Sequence, residues 1–207
     1  MPLADLPRIE VTSRAQWREW LSRNHDCSGS IWLVTYRRGH PFHLPYAEVV
    51  EEALCFGWID SRPAKLDDDR TMLLLSPRKA GSRWSKLNKE RIARMEALGC
   101  LHPAGQAKIA QAKADGSWAA LEEVDALKIP DDLSAALEAS PTAQKHFQAF
   151  PPSTLRGILE WLLVAKTEAT RRQRIAETVA LAELNVRANT PAAQAYKRSA
   201  STKKPSV

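Results

Sequence analysis

A chain of 207 residues, 44% hydrophobic and 26% charged, can bury a core without disulfide or metal staples, and it lies outside the composition that keeps chains disordered. No apolar run approaches the roughly 20 residues of a membrane-spanning helix, and the N-terminal MPLADLPRIEVTSR has no apolar h-region, so no membrane insertion and a cytoplasmic place of action are expected. The net charge of +6 points to an acidic partner, protein or nucleic acid, but part of the excess (Lys197, Arg198, Lys203 and Lys204) falls in an acid-free segment, 188–207, read as a disordered basic tail.

In chain order, a first helix begins after Thr12 or Ser13 as N-cap and sets Trp17, Trp20 and Leu21 on one side. IWLVTY, residues 31–36, is a continuous apolar run bounded by Gly29 and Gly39, the pattern of a central strand covered on both faces. YAEVVEEALCFG then reads as a helix with Val49, Val50, Ala53 and Leu54 inward, Glu48, Glu51 and Glu52 outward, and Gly57 ending it. WIDSRPAKL and RTMLLLS, joined through Asp67, Asp68 and Asp69, form a hairpin whose first strand is at an edge or irregular because of Pro63. From Ser82 onward only helices follow, several with Pro at or near the first turn, at Pro103, Pro130, Pro141 and Pro152. Leu155, Ile158, Leu159 and Leu162 form an apolar stripe on one helix, and Ile175, Val179 and Ala182 on the next, which predicts that the two pack as an antiparallel pair. The expected class is α+β: a small three-stranded N-terminal sheet with helices over 1–100, a helical region over 101–187, and the tail.

Two stretches carry candidate chemistry. If residues 83–98 form one helix and Trp84 sets its phase, Leu87, Ile92, Met95 and Leu98 share a core-facing arc, with Arg83, Lys86, Lys89 and Arg94 opposite. Together with Arg78 and Lys79 of the SPRKAGS loop, the latter form a basic surface backed by Trp58 and Trp84. The same basic face is equally what a solvated helix shows. Arg91 falls inside the apolar arc and calls for a carboxylate, Asp60 or one of Asp67 to Asp69, in an ion pair tying helix to hairpin.

The second stretch is CFGWIDS, residues 55–61, where Cys55, Asp60 and Ser61 form one wall of an enzymatic pocket in an alternative reading, with Arg78, Lys79 or Arg91 holding an anionic substrate. Against it, none of His25, His40, His43, His102 and His146 stands at a diagnostic spacing from the cysteine, and a lone cysteine beside Ala53 and Leu54 reads as a small buried hydrophobe. Cys27, Cys55 and Cys100 contain no CxxC pair, and HPFH fixes no ligand geometry, so neither metal nor cofactor is expected. A third reading is a scaffold whose helical half supplies an oligomer interface.

The segments IWLVTYRR, YAEVVEEALCFGWIDS, LDDDRT, SPRKAGSRWSKLNKERIARMEALG, PAGQAKIAQAKADGSW, IPDDLSAAL and FPPSTLRGILEWLLVAKTEATRRQRIAETV make the chain resemble, from about Trp17 to Ala188, the YdeI/OmpD-associated family of bacterial bacteriocin-protection proteins. The resemblance implies association with an outer-membrane porin and resistance to bacteriocins or cationic antimicrobial peptides, which is a phenotype and not a mechanism. It carries over no catalytic residues. The function expected is a non-enzymatic cytoplasmic stress or peptide-protection protein that binds an acidic partner through Trp58, Asp60, Arg78, Lys79, Arg83, Trp84, Lys86, Lys89 and Arg91, with a nucleic-acid-binding regulator or an uncharacterised enzyme as alternatives.

Overall fold

The computed structural model describes residues 2–201 and divides into two compact units, residues 1–120 and 121–207. The first contains β1 (Arg8–Glu10), α1 (Arg14–Asn24), β2 (Ile31–Tyr36), α2 (Tyr46–Cys55), β3 (Trp58–Lys65), β4 (Arg70–Pro77), α3 (Lys86–Ala97) and α4 (Pro103–Ala114). The second contains α5 (Glu122–Asp125), α6 (Asp131–Glu138), α7 (Pro141–Gln148), α8 (Pro152–Leu163), α9 (Glu168–Glu183) and α10 (Pro191–Ser201). The molecule is α+β, with the three expected strands and one more.

The sheet order is β1-β2-β4-β3, with β1 parallel to β2 and the remaining pairs antiparallel. The additional strand, β1, spans three residues, too few to show a period of two in the sequence. IWLVTY lies inside the sheet and Ile31 to Val34 are all buried. β3, which contains Pro63, lies at the edge, and its register to β4 shifts between Asp60 and Arg62. On the inner face Ile31, Leu33, Trp58 and Leu75 pack with Trp17 and Leu21 of α1 and Val49 and Ala53 of α2. On the outer face Trp32 and Leu74 pack with Leu6, and the Trp32 indole N–H donates to Leu3 O at 2.8 Å, so the N-terminal segment supplies the second cover.

Helix α2 is the hub of this unit, in contact with α1, α3, α4 and β3, and all residues from Val49 to Cys55 are buried. Glu51 and Glu52, expected on an outward face, are therefore inside. An amphipathic pattern identifies the face turned to the sheet but does not reveal that other helices cover the opposite face. Both carboxylates are paired: Glu52 accepts from Arg14 Nε and Arg18 Nη1, each at 2.7 Å, and Glu51 meets Arg14 Nη1 at 3.2 Å and Arg94 Nη2. Buried carboxylates are tolerated only with such partners.

Helix α4 crosses the end of α2 at a contact that only glycine permits. A Cβ at Gly105 would lie 2.2 Å from the carbonyl oxygen of Cys55, which also accepts from His102 N at 3.1 Å. Composition groups α4 with the helical region, but this contact sets it in the first unit. Gly57 ends α2 with φ +76, a conformation open to glycine and costly for other residues.

The second unit closes around Leu133, Leu137, Phe147, Ile158, Leu159, Leu162, Ile175, Leu181 and Ala182. The stripe on α8 is in the core, and α9 packs against α6, α7 and α8 rather than α8 alone. In the segment expected to be a disordered tail, α10 forms from Pro191 because Thr190 caps it, its Oγ1 accepting from Ala193 N at 3.3 Å, and Ala193 and Ala188 join the core. Lys203 and Lys204 lie outside the described residues.

Candidate functional site

Ser85 is the N-cap of α3, its Oγ accepting from Asn88 N at 3.3 Å, so the helix begins at Lys86 and Trp84 stands outside it. Taking Trp84 as part of the helix therefore assigns the wrong phase to the arc. The buried residues of α3 are Asn88, Ile92 and Met95, while Leu87 and Leu98 are 54% and 65% exposed. Trp84 is buried from the preceding loop and meets Trp118, a half-exposed ring just after α4, with the ring centroids 5.0 Å apart and the planes tilted by 47°.

Arg78, expected in the exposed basic loop, is only 3% exposed. Its guanidinium lies 3.6 Å from the centroid of Trp84, and Nη1 donates to Ser82 O and Arg83 O at 3.5 and 3.3 Å. The cation is inside because the loop folds back over it, with Arg78 N bonded to Gly57 O and Gly81 N to Asp115 Oδ2. Burial pulls its pKa down to about 10, opposed by the Asp60 carboxylate, so it stays charged at neutral pH. Its Nε has no partner and lines, with Ser117, a cavity of about 10 Å³, the size that admits one water. The Ser117 hydroxyl meets nothing in hydrogen-bond geometry, yet it stands near enough to Asp115 to help hold that carboxyl below its ordinary value.

On this side of the unit Lys79, Arg83 and Lys86 are exposed and Lys89 is half-exposed. Two residues of α4 join them: Lys108, which lines the loop cavity with Lys79, and Lys113, whose Nζ stands 5.4 Å from the Trp118 ring. Lys89 Nζ lies at the same distance from that ring. The result is an indole carrying two ammonium groups. Trp118, Lys108 and Lys113 escape a sequence reading because only the packing of α4 brings them to α3 and its loop. The one available cue was the amphipathic poverty of PAGQAKIAQAKAD, whose lysines have no acidic partners at i±4.

The CFGWIDS turn is not assembled as one wall. Cys55 and Trp58 are fully buried, the Trp58 indole donates to His25 O at 3.1 Å, and Ser61 is exposed on the strand. Burial first, and the Glu52 carboxylate second, push the Cys55 thiol up to about 11 against the opposing pull of Arg18. No histidine activates it: His102 approaches through its backbone N–H, while its ring stacks on Phe56 at 4.6 Å and its Nδ1 accepts from Ala104 N.

Arg91 does not pair with Asp60 or with Asp67 to Asp69. Asp60 Oδ2 accepts from Tyr46 OH at 2.6 Å, Asp67 holds Arg70 at 2.7 Å, and Asp68 holds Lys65 at 2.6 Å. Arg91 instead donates to Asn88 Oδ1 at 2.9 Å and lies 5.8 Å from the Tyr46 ring, so the helix reaches Asp60 through the tyrosine. Burial and the bond to Asp60 push that phenol up to about 12.

The second unit contains a wider cleft of about 630 Å³, where Arg171 is held by Asp132 in a forked pair at 2.5 and 2.8 Å and Arg172 by Glu168 at 3.4 Å, and where Lys166 stands exposed on the lining. Among the described residues no helix is long and apolar enough to cross a membrane.

Two family models match, one to each unit. Residues 126–185 match the family described as bacteriocin-protection, YdeI or OmpD-associated, and residues 9–108 match a domain of unknown function. The resemblance read over Trp17 to Ala188 is thus matched by the bacteriocin-protection family in the second unit alone. No curated protein and no solved structure matches the chain.

Proposed function

We propose that the protein has a bacteriocin-protection-type role in which the first unit binds an acidic macromolecule without catalysis, through Lys79, Arg83, Lys86, Lys89, Lys108 and Lys113 around the Trp118 ring. The match over 126–185 supports the role, and a cytoplasmic place of action, supported by three unbridged thiols, belongs to the same proposal. The observation that carries the binding mode is the half-exposed indole with two ammonium groups at 5.4 Å, each able to serve a phosphate or carboxylate while the ring offers an apolar face. Arg78 and Trp84 act behind this surface as its support, since neither is exposed, whereas Trp58 is part of the sheet core with Trp17 and Leu21.

The test is fluorescence anisotropy with a labelled oligothymidylate and a labelled polyglutamate over a salt series. Nucleic-acid binding is expected to fall with salt at a log–log slope of about −0.7 per phosphate contacted, and Trp118→Ala is expected to weaken the oligonucleotide more than the polyglutamate because only bases stack. If neither polyanion binds at ~50 mM salt, the lowest point of such a series, the reading is lost.

A further inference from the structure

The inner face of the sheet extends further than the helix that covers it. Strands β3 and β4 each run for eight residues, and at the hairpin end the paired Thr35 and Thr71, with Leu73 and Pro63 beside them, pass beyond the start of α2 at Tyr46. The segment between β2 and α2 folds over this end and leaves a cleft of about 250 Å³, floored by Leu73 and Pro63 and walled by Leu44, Tyr46 and Val49.

The cleft is built rather than loose. His40 N bonds to Arg37 O and His43 N to His40 O, the His43 ring meets Tyr36 O at 2.8 Å, and the His40 ring stacks on Tyr36 at 4.1 Å. Tyr36 alternates with Thr35 and turns its ring to the outer face, where its OH donates to Glu10, so it borders the cleft through its backbone, whereas Tyr46, its OH donating to Asp60, offers the cleft its ring. Arg37 and Arg38 stand exposed at the rim, neither in an ion pair among the described residues, and no carboxylate lines the space. Two unneutralised guanidinium groups over an apolar floor beside an aromatic ring form a site of one sign of charge.

We propose that this cleft binds a small, flat aromatic carboxylate, its ring against Tyr46 over Leu73 and its carboxylate taken by Arg37 and Arg38. The proposal is independent of the polyanion surface.

The probes are 2-naphthoate and its uncharged analogue 2-naphthamide, titrated into the full-length protein with backbone amide NMR as readout. Expected with 2-naphthoate are saturable shifts confined to residues 35–49, 62–64 and 71–73, with 2-naphthamide at least ~5-fold weaker, the charge-assisted share of such a contact. Arg37→Gln combined with Arg38→Gln, both exposed and without side-chain bonds to lose, should equalise the two probes. No shifts at those amides, equal affinity of both probes for the unaltered protein, or an undiminished preference in the double variant would each overturn the proposal.

Discussion

Helices α2 and α9 occupy the same place in their respective units, each surrounded by its neighbours, and they solve the problem of burial in opposite ways. α9 turns Ile175, Thr178, Leu181 and Ala182 inward and keeps its charge on the outside, where Arg171 meets Asp132. α2 carries Glu51 and Glu52 into the interior and neutralises them with Arg14 and Arg18 of α1 and Arg94 of α3. Apolar packing accepts a neighbour at any register whose shape fits. A buried carboxylate accepts only the register that delivers a guanidinium, so charge specifies where α1 and α3 sit, and with α3 the position of the candidate binding surface.

The largest expected effect tests that difference directly. Arg14→Met combined with Arg18→Met leaves Glu52 buried without a cation and should destabilise the first unit by about 3 kcal/mol, the low end for a broken buried pair because the two arginines are a third exposed. Tryptophan fluorescence during urea unfolding isolates that unit, which contains every tryptophan except Trp161. The matching change in the second unit, Arg171→Met, should cost less than about 1 kcal/mol. Equal losses would remove the contrast.

Next come two glycine substitutions of opposite sign. Gly105→Ala drives a methyl group onto the Cys55 carbonyl and should cost about 2 kcal/mol by overpacking. Gly157→Ala, inside α8 with nothing within 4 Å of the added atom, should stabilise by about 0.5–1 kcal/mol through helix propensity. Thermal unfolding followed by circular dichroism for the helical second unit and by fluorescence for the first separates the two. A neutral Gly105→Ala would show that α4 is free to move away from α2.

At the surface, Lys79→Gln combined with Arg83→Gln should weaken polyanion binding several-fold and flatten its salt slope, each lost contact removing about 0.7 of slope for a single strand. Arg78→Met should leave the slope unchanged, because the guanidinium is sandwiched on Trp84 and out of reach. A slope that falls in Arg78→Met would mean the loop opens in the complex.

The fold was legible where one surface decides the pattern, as for IWLVTY and the stripe Ile158, Leu159 and Leu162, because apolar periodicity records which side faces a core. It failed where a second layer arrives from far along the chain. Glu51 and Glu52 look solvent-facing until Arg94 is folded onto them, and Arg78 looks exposed until the loop to Ser85 closes over it. The phase of α3 is misread for a local reason: Ser85 is its cap and the helix begins at Lys86 rather than Arg83, so Trp84 belongs to the loop. At the site, Lys79 and Arg83 were readable as neighbours in sequence, whereas Trp118 and Lys113 are neighbours only in space.

The smallest effect concerns Cys55 and separates the two units by pH. All three cysteines lie in the first unit, and Cys55 alone is fully buried. Its thiol has a pKa raised from 9.0 to about 11, so between these values the folded chain retains a proton that the unfolded chain has released. Stability falls with rising pH wherever the folded state binds more protons, so the contribution of the neutral thiol is complete below pH 9 and is lost as the pH rises through 11. Cys55→Ala should cost the first unit a constant amount at neutral pH from the small cavity left behind, and then show a shallower decline than the parent between pH 9 and 11. Fluorescence-monitored urea midpoints at each pH give the comparison, with Cys100→Ala as a control for a half-exposed thiol. Parallel declines in parent and variant would mean that water reaches Cys55, and a thiol open to water would also alkylate as fast as Cys27.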